Sequence, residues 1–379
     1  MNVADFIQNY SQVENEYLSL TPNLLARAFV PVTFRNLGFN TEIKSENELW
    51  KYINTQHEGR YDENLSLLNE ALTADEFELL KEALSICIKF TKSINKELIP
   101  RNALSRSLIS YRAINSFSKN LNTIPSVLEI GSGSGYLGLL CGISGWRYSS
   151  IDVSKSLITY QNALWNFAGF KVKFAEVGVT YSDSEFLQIP WWVWCNSALP
   201  LPEREILVAN HVIQEMTPLS LSHTIKRSKD LGAKYITAEG LGYGTYKDNL
   251  NIIDRNTDLI HHNSKAINYQ KVWFWKIIND KKVLPDSNQF SSIVQNTKIV
   301  IIKKLQNYPF FEQLIRKIRE FKVKKQLKPK RAQLLNKVFL HPHLTIKCRL
   351  LDDLIRSKKV SFITEDELAM KWAEHSAHL

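Results

Sequence analysis

The segment that most restricts what this chain can fold into is Val127–Asp152, VLEIGSGSGYLGLLCGISGWRYSSID. Ser126–Ile130 is a short apolar run that predicts a strand, about Tyr136–Ser144 predicts a helix, and WRYSSID predicts a second strand. Between the first strand and the helix, glycine alternates at Gly131, Gly133 and Gly135. Parallel strands joined through a helix in this way need both sheet faces covered. The pattern then repeats. SKSLITYQNALWNFAG predicts a helix capped by Ser154 and stopped by Gly169, and KVKFAEV, EILVAN, KYITAEG and KVWFWKII predict further strands. The expected fold class is α/β, a mostly parallel sheet with helices on both faces.

The regions on either side differ in pattern and in charge. Residues 1–122 predict mostly helix: apolar positions recur at Leu80, Leu84, Ile86, Cys87 and Phe90, and Thr73 precedes Glu76 by three residues, a capping box. From Lys281 to Leu379 the chain is again helical in pattern and holds 21 Lys and Arg against 9 Asp and Glu, a net of +12. The whole chain carries +10, so the first 280 residues carry −2. Three regions are expected: 1–122 helical, 123–280 the Rossmann-like domain, and 281–379 basic and mainly helical. The opening MNVADFIQNYSQVENEY has no basic stretch followed by an apolar one, and no apolar run approaches the roughly 18 residues of a membrane span. Cys87, Cys141, Cys195 and Cys348 form no Cys-x-x-Cys pair, which argues against a structural zinc site or a disulfide framework. A cytoplasmic protein is expected.

The glycine turn carries two overlapping fingerprints, Gly-x-Gly-x-Gly from Gly131 and Gly-x-Gly-x-x-Gly from Gly133 to Gly138. The second is the spacing of dinucleotide sites; the first, preceded by an acid, is that of methyl-donor sites. Glu129, two residues before Gly131, separates the readings. A dinucleotide would set its diphosphate near the same helix start, and at about 5 Å with an effective dielectric near 20 each like-charge pair costs about 3 kcal/mol. S-adenosylmethionine has no phosphate and presents an ammonium and a sulfonium, which a carboxylate attracts. Asp152 follows Gly131 by 21 residues, near the interval of about 20 that places an acid on ribose hydroxyls. It fits either nucleoside ligand. Together with Ser132, Tyr136 and Val153 these residues make up the expected donor site, and Asn210 joins them from the fourth strand.

VLEIGSGSGYLG with IDVS resembles the first two motifs of the class I S-adenosylmethionine-dependent methyltransferases, over roughly Ser126–Asp280. IPWWVWCN and ILVANHVIQEM resemble segments of bacterial sugar O-methyltransferases of surface polysaccharide synthesis. The resemblance implies a Rossmann-like class I methyltransferase sheet, S-adenosylmethionine as methyl donor, and a carbohydrate or other small hydroxyl-bearing acceptor.

Ligands of an open parallel sheet bind beyond the carboxyl ends of its strands. His211, directly after EILVAN, is the expected general base for a hydroxyl. If a helix begins there, Glu215 shares its face and orients the imidazole. Glu239 closes the fifth strand as a second acid. His261 and His262, read as a loop pair in DLIHHNS, are the alternative bases and substrate contacts. Trp191, Trp192 and Trp194 are read as a loop before the fourth strand, one indole buried and one stacking on a pyranose ring or adenine. Glu176 ends the third predicted strand, to reach the adenine or remain at the surface. Arg101, Arg106 and Arg112 lie on the helix before the sheet, to meet the donor's carboxylate or remain in solvent. Clustered Asp and Asn ligands are missing from the strand ends, so no metal is expected.

Phe311, Leu314, Ile315, Ile318 and Phe321 form one stripe of a basic helix, which packs on the core or meets an anionic membrane surface. A nucleic acid methyltransferase is disfavoured: NHVIQEM stands where an Asn/Asp-Pro-Pro-Tyr/Phe tetrad would follow the fourth strand. A small-molecule methyltransferase of secondary metabolism, a dehydrogenase and a non-catalytic binding protein remain as alternatives.

Overall fold

The computed structural model describes residues 3–20, 43, 45–52, 72–95, 100–176, 179–181, 186–195, 200–214, 216–239, 247–263, 272–278 and 376–377. The described residues lie in one compact unit. The expected amphipathic stripe at Phe311–Phe321, Cys348 and Glu215 fall outside them.

Before the sheet come α1 (Val3–Leu20), a 3-10 helix (Glu46–Tyr52), α2 (Ala74–Ser93) and α3 (Arg101–Leu121). The capping box of α2 is formed: Thr73 Oγ1 accepts from the Glu76 amide at 3.2 Å, and the Thr73 amide donates to Glu76 Oε2 at 3.1 Å. The same carboxylate takes a second load. Arg112 of α3 donates to it through Nε and Nη2, each at 2.6 Å, in a buried fork that ties α3 to α2. Arg112 is thus neither a solvated charge nor a donor contact. Removing one partner of such a pair costs about 3–5 kcal/mol, because the other charge stays buried.

The sheet strands are β1 (Ser126–Ile130), β2 (Arg147–Asp152), β3 (Val172–Phe174), β4 (Phe186–Pro190), β5 (Ile206–Val208), β6 (Tyr235–Glu239), β7 (Thr257–Asn263), β8 (Val272–Ile277) and β9 (Ser376–Ala377). Between them run α4 (Tyr136–Ile143), α5 (Lys155–Phe167), α6 (Trp191–Cys195), α7 (Pro218–Asp230) and α8 (Lys247–Asn256). Among the described residues the order across the sheet is β3-β4-β2-β1-β5-β6-β8-β7-β9. Pairs from β3 to β6 are parallel, and those that β8 and β9 make are antiparallel. The chain leaves β1 toward β2 and later returns to β1's other side as β5, so the direction of winding reverses at β1/β5. This is the expected Rossmann-like sheet with helices on both faces, and the reversal is where such sheets open a ligand crevice.

Two-sided burial follows from strand periodicity. Val127, Tyr148, Ile206 and Val208 face a core shared with α2, α3 and α4. Leu128, Ile130, Ile151 and Leu207 face a second core built with α1, α6 and α7. The helices preceding the sheet therefore bury their apolar faces in the same cores as the strands.

Four features correct the reading of the sequence. Phe186–Pro190 is a strand, and it lies between β3 and β2. The tryptophans after it form the short helix α6, not a loop. The fourth predicted strand stops at Val208, two residues before Asn210, and 210–214 form turns; the next helix begins only at Pro218, after the Thr217 cap. DLIHHN is strand β7, with a register irregularity between Leu259 and His261.

Candidate functional site

The glycine turn is held from below by α5. Gln161 Nε2 donates to the Gly133 carbonyl at 2.6 Å and to Ser132 Oγ at 3.0 Å, and Trp165 Nε1 donates to the Gly135 carbonyl at 2.9 Å. Gln161 and Trp165 are four apart on a helix, so one face carries both. From the other side, Ser134 Oγ donates to the Tyr52 carbonyl at 2.7 Å. Gly133 and Gly135 both have positive φ, +57° and +76°, but for different reasons. A Cβ on Gly135 would lie 2.7 Å from the Trp165 ring, whereas one on Gly133 would meet nothing within 4 Å. Gly135 is required by packing; Gly133 faces open space where a ligand can approach the backbone.

Two buried carboxylates stand at the ends of β1 and β2, and one of them bonds Gly133 itself. Asp152 accepts from the Gly133 amide through Oδ2 at 3.1 Å and from the Ser154 amide through Oδ1 at 2.9 Å. Burial nevertheless lifts it to about 6, those backbone donors pulling the other way. Glu129 accepts from the Tyr148 hydroxyl on the neighbouring strand. Burial pushes it up to about 7, opposed by that phenol and reinforced by the charge of Asp152. Among the described residues neither carboxylate has a salt bridge to a basic side chain. Buried acids that have no counter-ion among the described residues suit a cationic ligand better than a diphosphate.

Other expected donor residues are placed less directly. Val153 is half-buried at the end of β2. Tyr136 points into the core, its hydroxyl 2.8 Å from that of Tyr160, which removes its side chain from the donor site. Glu176 follows β3, and β4 separates that strand from β2, so it lies one strand further from Asp152 than expected. Its amide takes the Tyr181 hydroxyl as acceptor at 2.6 Å. Asn210 is occupied by the protein at both ends of its amide. Its Nδ2 donates to Ser110 Oγ of α3 at 2.8 Å, and its Oδ1 accepts from the Glu239 amide at 3.1 Å.

Beside the turn from β1, the turn after β5 carries His211 in the left-handed region, φ +55°. Its amide donates to the Glu239 carbonyl at 2.8 Å, and its Nε2 lies 3.3 Å from Glu239 Oε1. His211 is thus paired with Glu239 across the strand ends, while the expected partner Glu215 lies outside the described residues. Asn249 of α8 secures the same turn, donating to the Ile213 and Met216 carbonyls at 2.9 and 2.8 Å. Burial, then the charge of Arg106, holds the imidazole below its ordinary range; Glu239 opposes both. The His211 imidazole is accordingly neutral at neutral pH, with the Glu239 carboxylate beside it. Arg106 is one turn from Ser110 on α3, the face that meets this turn. Arg101 opens α3, and its side chain is outside the described residues.

The three tryptophans are core residues. Trp191, Trp192 and Trp194 are 4%, 4% and 0% exposed, so the expected division into one buried and one pocket-lining indole does not hold. Trp194 Nε1 donates to Thr224 Oγ1 at 3.3 Å and the Arg227 guanidinium lies 5.1 Å from its ring centre. His261 and His262 stand near the carboxyl end of β7, on the same sheet edge as Glu239 but two strands beyond it. No group of His, Cys, Asp and Glu that could hold a metal occurs among the described residues. Nor, among them, is any helix long and apolar enough to cross a membrane.

Sequence reasoning missed Gln161, Trp165, Tyr148 and Ser110. The first three left a signal. Tyr148 shares the alternate positions of Ser150 and Asp152, and Ser150 is in register with Glu129. Gln161 is a polar residue inside the apolar face of its helix, and Trp165 stands one turn further along it. Ser110 left none, since its partner is 100 residues away.

No family model matches the chain, and no curated protein does. Among solved structures it is similar to magnesium protoporphyrin IX methyltransferase (ChlM) from Synechocystis PCC 6803 with bound SAM. That alignment has 10% identity and a TM-score of 0.31, covering 47% of this chain and 85% of the other. It is similar to the bifunctional kinase-methyltransferase WbdD at 14% identity and a TM-score of 0.33, over 47% of this chain and 40% of that one. PH0226 protein from Pyrococcus horikoshii OT3 aligns at 10% identity and a TM-score of 0.33, over 45% and 90% of the two chains. At TM-scores of this size the fold stands on the strand order itself.

Proposed function

We propose that the chain is an S-adenosylmethionine-dependent O-methyltransferase acting on a hydroxyl of a carbohydrate acceptor. The observation that carries the donor is Asp152 bonded to the amide of Gly133, whose Cβ side is open, with a second buried carboxylate, Glu129, on the neighbouring strand and no basic side chain paired to either among the described residues. Glu129 attracts the donor's ammonium and Asp152 accepts from its ribose hydroxyls. S-adenosylmethionine supplies an electrophilic methyl group on a sulfonium, which leaves as a neutral thioether.

His211 takes the proton of the acceptor hydroxyl during in-line attack, and the Glu239 carboxylate stabilises the resulting imidazolium. A positioned base of this kind contributes roughly 10²–10⁴-fold. The carbohydrate class is supported by the likeness of IPWWVWCN and ILVANHVIQEM to sugar O-methyltransferases. Because the tryptophans are buried, acceptor hydroxyls are left to His211, Glu239 and Arg106 for recognition. The basic region from Lys281 serves, in this reading, as a contact for an anionic surface on which glycans are assembled.

Calorimetric titration tests the donor: S-adenosylhomocysteine binds and NADH does not, while NADH binding with S-adenosylhomocysteine silent overturns the assignment. Transfer of labelled methyl into a fractionated glycan pool then tests the acceptor, with His211→Ala as the inactive control.

A further inference from the structure

Tyr10 of α1 is fully buried, yet its hydroxyl has no hydrogen-bond partner among the described residues. Leaving a buried hydroxyl unsatisfied costs free energy, and an orphan of this kind asks for an explanation. Its surroundings supply one. The Tyr10 ring stands edge-on to Trp192, centroids 4.9 Å apart, two residues beyond β4. It lies 5.5 Å from the ring of Phe174, the last residue of β3. The Lys155 ammonium, three residues beyond Asp152, sits 5.5 Å over its face, and that ammonium also donates to Ser11 on the same helix. Tyr10 therefore lies over the carboxyl ends of β2, β3 and β4, beside Asp152, whose charge with that of Glu14 adds to burial in keeping the phenol protonated. This is the side of the crevice that a nucleoside occupies when its ribose meets the acid after the second strand.

We propose that the Tyr10 hydroxyl is a ligand-binding group, which hydrogen-bonds the nucleoside half of the methyl donor at a ribose hydroxyl or an adenine ring nitrogen. The inference rests on the donor reading above and adds α1, some 120 residues before the glycine turn, to the wall of that site. The orphaned hydroxyl is satisfied only when the donor is bound. The ring stays on Trp192 and Phe174 in either state.

Tyr10→Phe removes the oxygen and leaves that packing. The full-length protein and this variant are titrated with S-adenosylhomocysteine and with 5′-methylthioadenosine, which lacks the amino acid part, and unfolded thermally without ligand. The variant is expected to bind both compounds roughly tenfold more weakly. Its ligand-free midpoint should be at or above that of the wild type, because an unsatisfied group has been removed. Equal affinity of variant and wild type overturns the role of Tyr10 and leaves the donor assignment standing. A lowered ligand-free midpoint also overturns it, by showing that the hydroxyl serves the fold. Failure of the wild type to bind either compound sinks the donor reading and this inference together.

Discussion

The glycine turn of 131–135 and the turn of 209–214 leave neighbouring strands at one edge of the sheet, yet they are restrained from different parts of the chain. The donor turn is fastened mainly by residues a short way downstream: Gln161, Trp165 and Asp152 all lie within 30 positions of their partners. The turn of 209–214 is fastened by three separate elements, α3, β6 and α8. It hangs on Ser110, Glu239 and Asn249, which are 100, 29 and 36 positions from the groups they bond. His211 also keeps a positive φ that a residue with a Cβ adopts only when its neighbours impose it. A glycine turn can be held largely within one strand-helix-strand unit, whereas the turn that carries His211 is positioned by elements on either side of it in the chain.

The contrast can be broken in four places. The largest effect is expected from His211→Ala, which should lower kcat by about 10²–10⁴-fold while donor affinity holds. The wild-type kcat should fall at low pH with a midpoint below the ordinary histidine value, since burial and Arg106 depress that imidazole. A loss under tenfold would mean that the acceptor turn performs no base catalysis.

Next come the two glycines. Gly135→Ala should cost roughly 3 kcal/mol in urea unfolding, from left-handed strain plus collision with Trp165. Gly133→Ala should cost only about 1 kcal/mol but weaken S-adenosylhomocysteine, because its open side belongs to the ligand. Equal costs would show that the two positions are restrained alike.

Glu129→Gln should weaken S-adenosylhomocysteine about tenfold or more and flatten its pH dependence. In the wild type, binding an ammonium draws the proton from a carboxyl that titrates at about 7, so affinity should rise with pH through that range. Stability without ligand should move the other way. The raised carboxyl contributes stability at low pH that is lost as pH climbs through about 7, and the glutamine variant should not lose it. The smallest effect is expected from Asn210→Ala: about tenfold in kcat, little in donor affinity, as befits a positioning residue. A fall in donor affinity with kcat intact would return Asn210 to the donor site.

The same contrast explains which parts of the molecule could be read in advance. Strands and helices around the glycine turn announce themselves through local periodicity, and Glu129, Gly133 and Asp152 stand at spacings that chemistry dictates. Glu239 and His211 were legible as strand-end residues, but their pairing was not, because it depends on β5 and β6 being neighbours. A helix starting directly after Asn210 would bring Glu215 to His211, but 210–214 form turns and Glu215 lies outside the described residues. Phe186–Pro190 was overlooked because the aromatic run behind it hid a strand buried on both faces. The tryptophans read as one buried and one pocket-lining indole, and only the packing of α1 and α7 on α6 reveals all three as core.

The bond from Ser134 to the backbone of Tyr52 spans 82 positions and joins the ligand turn to a short helix well before the sheet. Anyone trimming this chain to its sheet would cut just before Ser126, where the first strand begins. That cut would also strip away the carbonyl on which the serine rests. The shortest piece that retains methyl-donor affinity should therefore start upstream of Glu46, however self-contained the strands look on paper.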